Sequence, residues 1–350
     1  MQPLSLEGLL EEVNAHGAWT REHGLRCLEV QGKDGLDLLH RLSTNDLLSG
    51  AIPRSRRTVL TTEKGRVVDL VEVVVTADRT LLIVHAGAAE EVRNWVERFI
   101  ILEEVELSVV TDDGAIVWFI GPQFESAARL HTVLSEAGVR MHPISYQSAA
   151  QPNPSLPGYG PPVASQMEIW RSPLGGIPAY LGIIPADHRQ TLLAALNKGG
   201  CKEISRDAFD LLRIMTGTPG YPNELNTSVN PLEVNLRDAV SFTKGCYVGQ
   251  EVVARLDAYE KVQRELLVLR IMGIPEPVGS ALHVVMDDNV AGAVTSISAP
   301  LSDGTTLALA LCRKDAMASK GALGVRAENE STTLRTRRFD LSEIRAGGAS

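Results

Sequence analysis

Along the first half of the chain, stretches of alternating apolar and polar residues give way repeatedly to apolar positions at helical spacing. Residues 25–31 read as a strand, and the period changes at Gly32-Lys33-Asp34. Asp34 is placed to cap a helix, with Asp37 three residues on. Leu36, Leu39 and Leu42 follow at helical spacing, and Ser43-Thr44-Asn45-Asp46 ends the run. Residues 58–62, 67–76 and 81–85, divided by Glu63-Lys64-Gly65 and Asp78-Arg79, predict an antiparallel meander. A helix over 88–99, strands near 104–110 and 115–120, and a helix over 124–136 complete an α+β unit.

Residues 147–163 (QSAAQPNPSLPGYGPPV) lack an apolar period and are rich in Pro, Gly and Ser, which predicts a linker or mobile loop. A strand near 167–171 follows, then helices over 187–198 and 205–216, the second starting at a Ser cap. After residue 256 only short β-like runs remain, at 265–271, 281–285, 293–298, 305–312 and 324–327. They are separated by Gly, Asp-Gly or Pro turns, the pattern of a small barrel or sandwich.

Composition narrows the classes. At 350 residues the chain is too long for one core, so two or three domains are expected. No apolar run reaches the length of a membrane span, and the N-terminus, with Glu7, Glu11 and Glu12, lacks a basic apolar leader. The expectation is a cytoplasmic protein without a membrane partner. A net charge of −9 disfavours nucleic acid held on a broad basic surface, while leaving room for a small anion where a few cations converge. The four cysteines, Cys27, Cys201, Cys246 and Cys312, are far apart, so neither a disulfide framework nor a local zinc or iron–sulfur motif is expected. The histidines His40, His85, His131, His142, His188 and His283 form no ligand-spaced pairs and read as structural or surface groups. The Phe209, Leu212, Met215 stripe reads as helix core.

One segment carries candidate chemistry: Phe242-Thr243-Lys244-Gly245-Cys246-Tyr247-Val248-Gly249-Gln250-Glu251-Val252-Val253-Ala254-Arg255. Gly245 and Gly249 bracket a tight loop ahead of a helix that begins near Gln250, with Glu251 in its first turn. A helix N-terminus and the Lys244 ammonium both stabilise a thiolate at Cys246. The plainer reading of the same residues is a buried cysteine packed as a small hydrophobe between Phe242 and Val248.

The run Lys244-Gly245-Cys246-Tyr247-Val248-Gly249-Gln250-Glu251 resembles the K-G-C-[YF]-x-G-Q-E signature of the YgfZ family. Three other segments resemble that family too: 39–46 (LHRLSTND); Gly65-Arg66-Val67-Val68-Asp69; and Arg213-Ile214 with Gly217, Pro219, Glu224 and 230–233 (NPLE). The resemblance spans roughly residues 17–298 and implies the fold of the glycine-cleavage T protein. That is a three-domain α+β architecture of antiparallel sheets with helices and a C-terminal β-barrel, around a central cavity for tetrahydrofolate. The implied domains are 1–47 with 164–256, then 48–146, the 147–163 linker, and a barrel over 257–345.

The function so implied is a monomeric tetrahydrofolate-binding accessory protein for iron–sulfur clusters in client enzymes, including tRNA-modifying radical enzymes. Cys246 and Lys244 would be its reactive pair. A pteridine needs flat apolar walls and polar groups at its edge, and a glutamate tail needs cations. Tyr247 is a candidate wall, with Gln250 beside it in the motif. Arg171, Arg213 and Arg255 are candidate cations, and Asp69 and Glu224 candidate carboxylates. The alternative is a folate-dependent aminomethyltransferase. Against it, the Asp-Asp doublet of that activity is Asp69-Leu70 here, and the R-x-G-Y-T-G-E segment is replaced by Arg171-Ser172-Pro173-Leu174-Gly175-Gly176.

Overall fold

The structure is a computed structural model that describes residues 4–21, 24–110, 116–124, 140–146, 166–184, 186–275, 280–318, 321–328 and 330–340. The expected 147–163 linker lies outside the described residues, as does the expected helix beyond Phe124. At Pro122–Phe124 itself a short 3-10 turn is found.

The organising element is β4 (Val67–Val75), whose nine residues VVDLVEVVV are all buried. Alternation along a strand sends successive side chains to opposite faces. Leu70 and Val74 therefore join one hydrophobic core, while Val71, Val73 and Val75 join another. A run with apolar residues on both faces belongs in the middle of a covered sheet. β4 pairs antiparallel with β3 (Arg54–Thr61) and β5 (Thr80–His85), which is the expected meander. β5 pairs with β2 (Leu25–Gln31), and β2 with β6 (Glu106–Val109).

On its other side β3 runs parallel to β8 (Arg140–Tyr146), and β8 parallel to β9 (Gln166–Arg171). The sheet continues through β10 (Ala179–Ile183), β7 (Ile116–Ile120), β1 (Ala18–Thr20) and β11 (Lys202–Glu203), eleven strands in all. It ties together segments from both of the first two expected domains: β2 lies beside β5, and β7 lies between β1 and β10. C-terminal to these, β12 (Arg264–Ile271), β15 (Thr306–Arg313), β14 (Asn289–Ile297), β13 (Leu282–Met286), β16 (Leu323–Ala327) and β17 (Thr333–Arg338) close in that order into a barrel.

Helices are formed by Leu6–His16, Gly35–Leu42, Ala89–Glu97, Arg189–Lys198, Arg206–Met215 and Gln250–Ala258. Ser205 caps the Arg206–Met215 helix by accepting from the Ala208 N–H. Asp34 does not cap the next helix in the expected way. Its side chain makes no cap bond, and Oδ2 instead accepts from the Glu104 N–H at 2.8 Å, pinning the loop ahead of β6. Among the described residues no helix is long and apolar enough to cross a membrane.

Candidate functional site

The two polar residues inside the β4 valine run are Asp69 and Glu72, which are 0% and 6% exposed. A buried carboxylate is costly unless hydrogen-bonded, so their partners define the local structure. Glu72 accepts from Trp170 Nε1 and Ser172 Oγ and lies 3.5 Å from Arg57 Nε. Burial pushes its carboxyl upward, against the opposing pull of Arg57. Arg57 also donates to Ser172 Oγ and to the Pro173 carbonyl, each at 3.1 Å.

Glu72 and Arg57 line a cavity of about 330 Å³. Its aromatic wall is Trp118 from β7, Phe209 and Tyr221; Leu70, Ile83, Leu174 and Leu181 add aliphatic surface. The Arg206–Met215 helix turns Arg206, Phe209, Asp210 and Arg213 onto the cavity, the i, i+3, i+4, i+7 positions of one face. Leu212 and Met215 of the same helix are core residues, as expected, whereas Phe209 serves both core and cavity.

Asp210 holds Arg206 at 2.8 Å and Arg213 at 3.1 Å. Arg213 reaches further, to the Thr218 carbonyl at 3.1 Å, Glu224 Oε2 at 3.2 Å and Ser296 Oγ of the barrel at 3.1 Å. Glu224 is fully buried, and its Oε2 also accepts from the Gly220 N–H at 3.0 Å. Among the described residues its Oε1 has no hydrogen-bond partner.

Of the residues singled out by sequence, Arg213 thus lines the cavity and Glu224 supports it from behind. Asp69 sits one layer back, bonded to His85, which does line the cavity. Arg171 ends β9 opposite Tyr180, next to Ser172, and is not among the lining residues.

The signature segment lies elsewhere: none of Lys244, Cys246, Tyr247, Gln250 and Arg255 lines the cavity. Lys244 Nζ donates to the carbonyls of His40, Ser43 and Asn45, at 2.7 Å and 2.9 Å for the last two, and so closes the C-terminal end of the Gly35–Leu42 helix. Its ammonium lies 5.2 Å over the Tyr247 ring, and burial lowers its pKa to about 8. Tyr247 is buried beneath it. Gln250 opens the next helix, and Arg255 is exposed on it.

Cys246 is exposed, whereas Cys27, Cys201 and Cys312 are buried. The buried-hydrophobe reading of Cys246 therefore falls away. Burial pushes the Cys27 and Cys312 thiols up to about 12. Iodoacetamide near neutral pH should accordingly label one thiol per folded chain, at Cys246, and four after unfolding, as counted by intact mass. Labelling of two or more in the folded protein would contradict this burial pattern.

Gly249, at φ +83°, has its missing Cβ 2.4 Å from the Thr62 carbonyl and 3.0 Å from Gly65, whereas a Cβ at Gly245 would meet nothing within 4 Å. The two glycine-containing motifs are therefore stacked turn against turn. Gly249→Ala should cost about 1–3 kcal/mol of stability through left-handed strain and the clash. Gly245→Ala should stay within about 0.5 kcal/mol. Urea midpoints of the two variants test the contrast, and equal midpoints would contradict it.

Several cavity residues escape sequence reasoning. Glu72 was discoverable as a carboxylate inside an apolar strand, and Arg206 and Asp210 by their helical spacing from Phe209 and Arg213. His85 has no ligand-spaced neighbour in sequence, and its partner Asp69 lies sixteen residues away, across a hairpin.

Residues 13–152 match the model of the GCVT N-terminal domain. A chloroplastic Arabidopsis thaliana protein bearing a provisional transferase name is 26% identical over 83% of this chain, which spans 63% of that relative's length. An aminomethyltransferase of Thermotoga neapolitana is 26% identical, with 89% of this chain and 83% of the relative aligned. Among solved structures, aminomethyltransferase T of the glycine cleavage system from Bartonella henselae superposes with a TM-score of 0.70 at 21% identity, covering 97% of this chain and 91% of that one.

Proposed function

We propose, for a chain that resembles the glycine-cleavage T protein in fold and in its N-terminal domain, that the central cavity binds a reduced folate and handles its one-carbon unit. The observation carrying this reading is the meeting, in one cavity of about 330 Å³, of an aromatic wall with fixed carboxylate–arginine pairs. That volume falls at the small end of the roughly 300–1,000 Å³ of small-molecule sites.

The fit follows from ligand chemistry. A pterin offers two flat faces, which suit Trp118, Phe209 and Tyr221, and an edge of N–H donors, which suits a carboxylate such as Asp210 or Glu72. The glutamate tail carries carboxylates, for which Arg57, Arg206 and Arg213 are the cavity's cations. Bound tetrahydrofolate supplies the nitrogens that accept or carry the carbon. The chain holds those nitrogens among fixed groups and limits water around them with Leu70, Ile83, Leu174 and Leu181.

Tetrahydrofolate titrated into the protein should give a saturable change in intrinsic fluorescence. Trp118→Phe should remove most of that signal while calorimetry still detects binding. No saturation at millimolar ligand would overturn the folate reading.

Aminomethyl transfer is the activity favoured by the names of the relatives, and it predicts formation of methylene-tetrahydrofolate when an aminomethyl-lipoyl carrier protein is supplied. The exposed thiol of Cys246 favours a second reading, a folate-binding accessory role for iron–sulfur client enzymes in the manner of the YgfZ family. On that reading Cys246→Ser folds normally but fails to rescue cells lacking the protein under oxidative stress. Full rescue would make the thiol dispensable.

A further inference from the structure

His85 ends β5, lines the cavity, and has no part in the binding argument above. Its Nδ1 lies 2.7 Å from Asp69 Oδ1. The Leu70 N–H donates to the same oxygen at 2.9 Å, and the His85 N–H donates to Oδ2 at 3.0 Å. A carboxylate so surrounded by donors acts as acceptor, so Nδ1 bears the proton and the neutral ring presents Nε2 as a base. Nε2 makes no hydrogen bond among the described residues. The Tyr221 ring stacks on the imidazole, 6.0 Å between centroids and 24° between planes, and so fixes its orientation. Asp69 is fully buried and does not line the cavity, so carboxylate, imidazole and cavity stand in series.

We infer that His85 is the proton-exchanging residue of this cavity and that Asp69 is a positioning residue acting on the ligand through it. The inference deepens the folate reading and rests on it. As a folate N–H nitrogen bonds the incoming one-carbon unit, the bond from that carbon to its departing amine or thiol breaks and leaves its electron pair on the departing group, while the N–H bond breaks and an Nε2–H bond forms. The N–H electron pair stays on the folate nitrogen, and the imidazolium left behind is paired with Asp69. The proton then leaves from Nε2 to the departing group or to water. In this arrangement Asp69, a candidate binding carboxylate in the sequence, reaches the ligand only through His85.

Other ionisable groups line the same cavity. Tyr221 is stacked on the imidazole, Arg206, Asp210 and Arg213 come from the helix, and Arg57 and Glu72 from β3 and β4. Burial raises the pKa of the Tyr221 hydroxyl, with Glu91 and Asp69 acting in the same direction, and burial also raises that of the Glu72 carboxyl. All of these groups are retained when His85 alone is changed, so the difference between two pH profiles isolates the imidazole.

Tetrahydrofolate affinity of the intact chain is measured by calorimetry from about pH 5.5 to about pH 8.5. Wild-type affinity should fall about tenfold toward the acid end, where Nε2 becomes a donor and the accepted hydrogen bond is lost. His85→Gln, and His85→Asn should the first variant unfold, should lack this His-dependent fall. Asp69→Asn should change the His-dependent profile as well, because the ring loses the carboxylate that holds its Nδ1. Superimposable profiles for wild type and the His85 variants would overturn the role of His85 while leaving the folate reading intact. Absence of wild-type binding at every pH would overturn the folate reading and the inference with it.

Discussion

Arg213→Met should lower the unfolding free energy by about 3–5 kcal/mol and abolish ligand binding. The guanidinium bonds Asp210, Glu224, the Thr218 carbonyl and Ser296, joining the cavity helix, the 218–224 loop and the barrel. Glu224 is 0% exposed and already has one unpartnered oxygen, so removing its cation leaves an uncompensated buried charge. Gly220 lies against the guanidinium, where an added Cβ would be 2.9 Å from Cζ, so the loop loses its support as well. Urea unfolding of the variant measures the loss. Adding Glu224→Leu should recover most of the stability but none of the binding, because a missing pair costs less than a broken one. A loss below about 1 kcal/mol in the single variant would show the network to be peripheral.

The second large effect is expected at Lys244. Lys244→Met should cost about 2–4 kcal/mol by leaving the carbonyls of His40, Ser43 and Asn45 without their shared donor. Ser43 and Asn45 are each 1% exposed, so water cannot readily replace the ammonium. The residue lies outside the cavity lining, so the folded variant should bind folate within about twofold of wild type. Unfolding and ligand titration on the same preparation separate the two effects. Unchanged stability with a tenfold loss of affinity would return Lys244 to the ligand and contradict the capping role.

Parts of this molecule are legible in its sequence. The signature segment is readable because its residues are sequence-local: a lysine that closes a helix and a glycine that admits a turn against Gly65. Its constraints are those of folding as well as of chemistry. The valine-rich meander was equally legible, since both faces of β4 are apolar and the turns carry the expected residues. Strands β1 and β11, with three and two residues, are too short to show a period. β10 is interrupted by Gly182, which lets Phe119 approach the backbone. β17 (TLRTRR) places arginines outward and only Thr336 fully inward, so its alternation is written in polar residues.

The cavity was the least legible part, for a geometric reason. Glu72, Asp69 and His85 acquire their roles from partners brought together by sheet pairing: Trp170 and Ser172 about a hundred residues away, and each other across a hairpin. Arg213 and Glu224 were identifiable because they fall in a motif. Their connection to Ser296 depends on how the barrel is docked, which local patterning does not encode.

The most direct test of the account is a crystal structure of the protein grown with saturating tetrahydrofolate. The predicted result is a pterin against Trp118, Phe209 and Tyr221, with His85 Nε2 within hydrogen-bond distance of a folate nitrogen. Folate bound beside Cys246 instead, with the cavity empty, would contradict it.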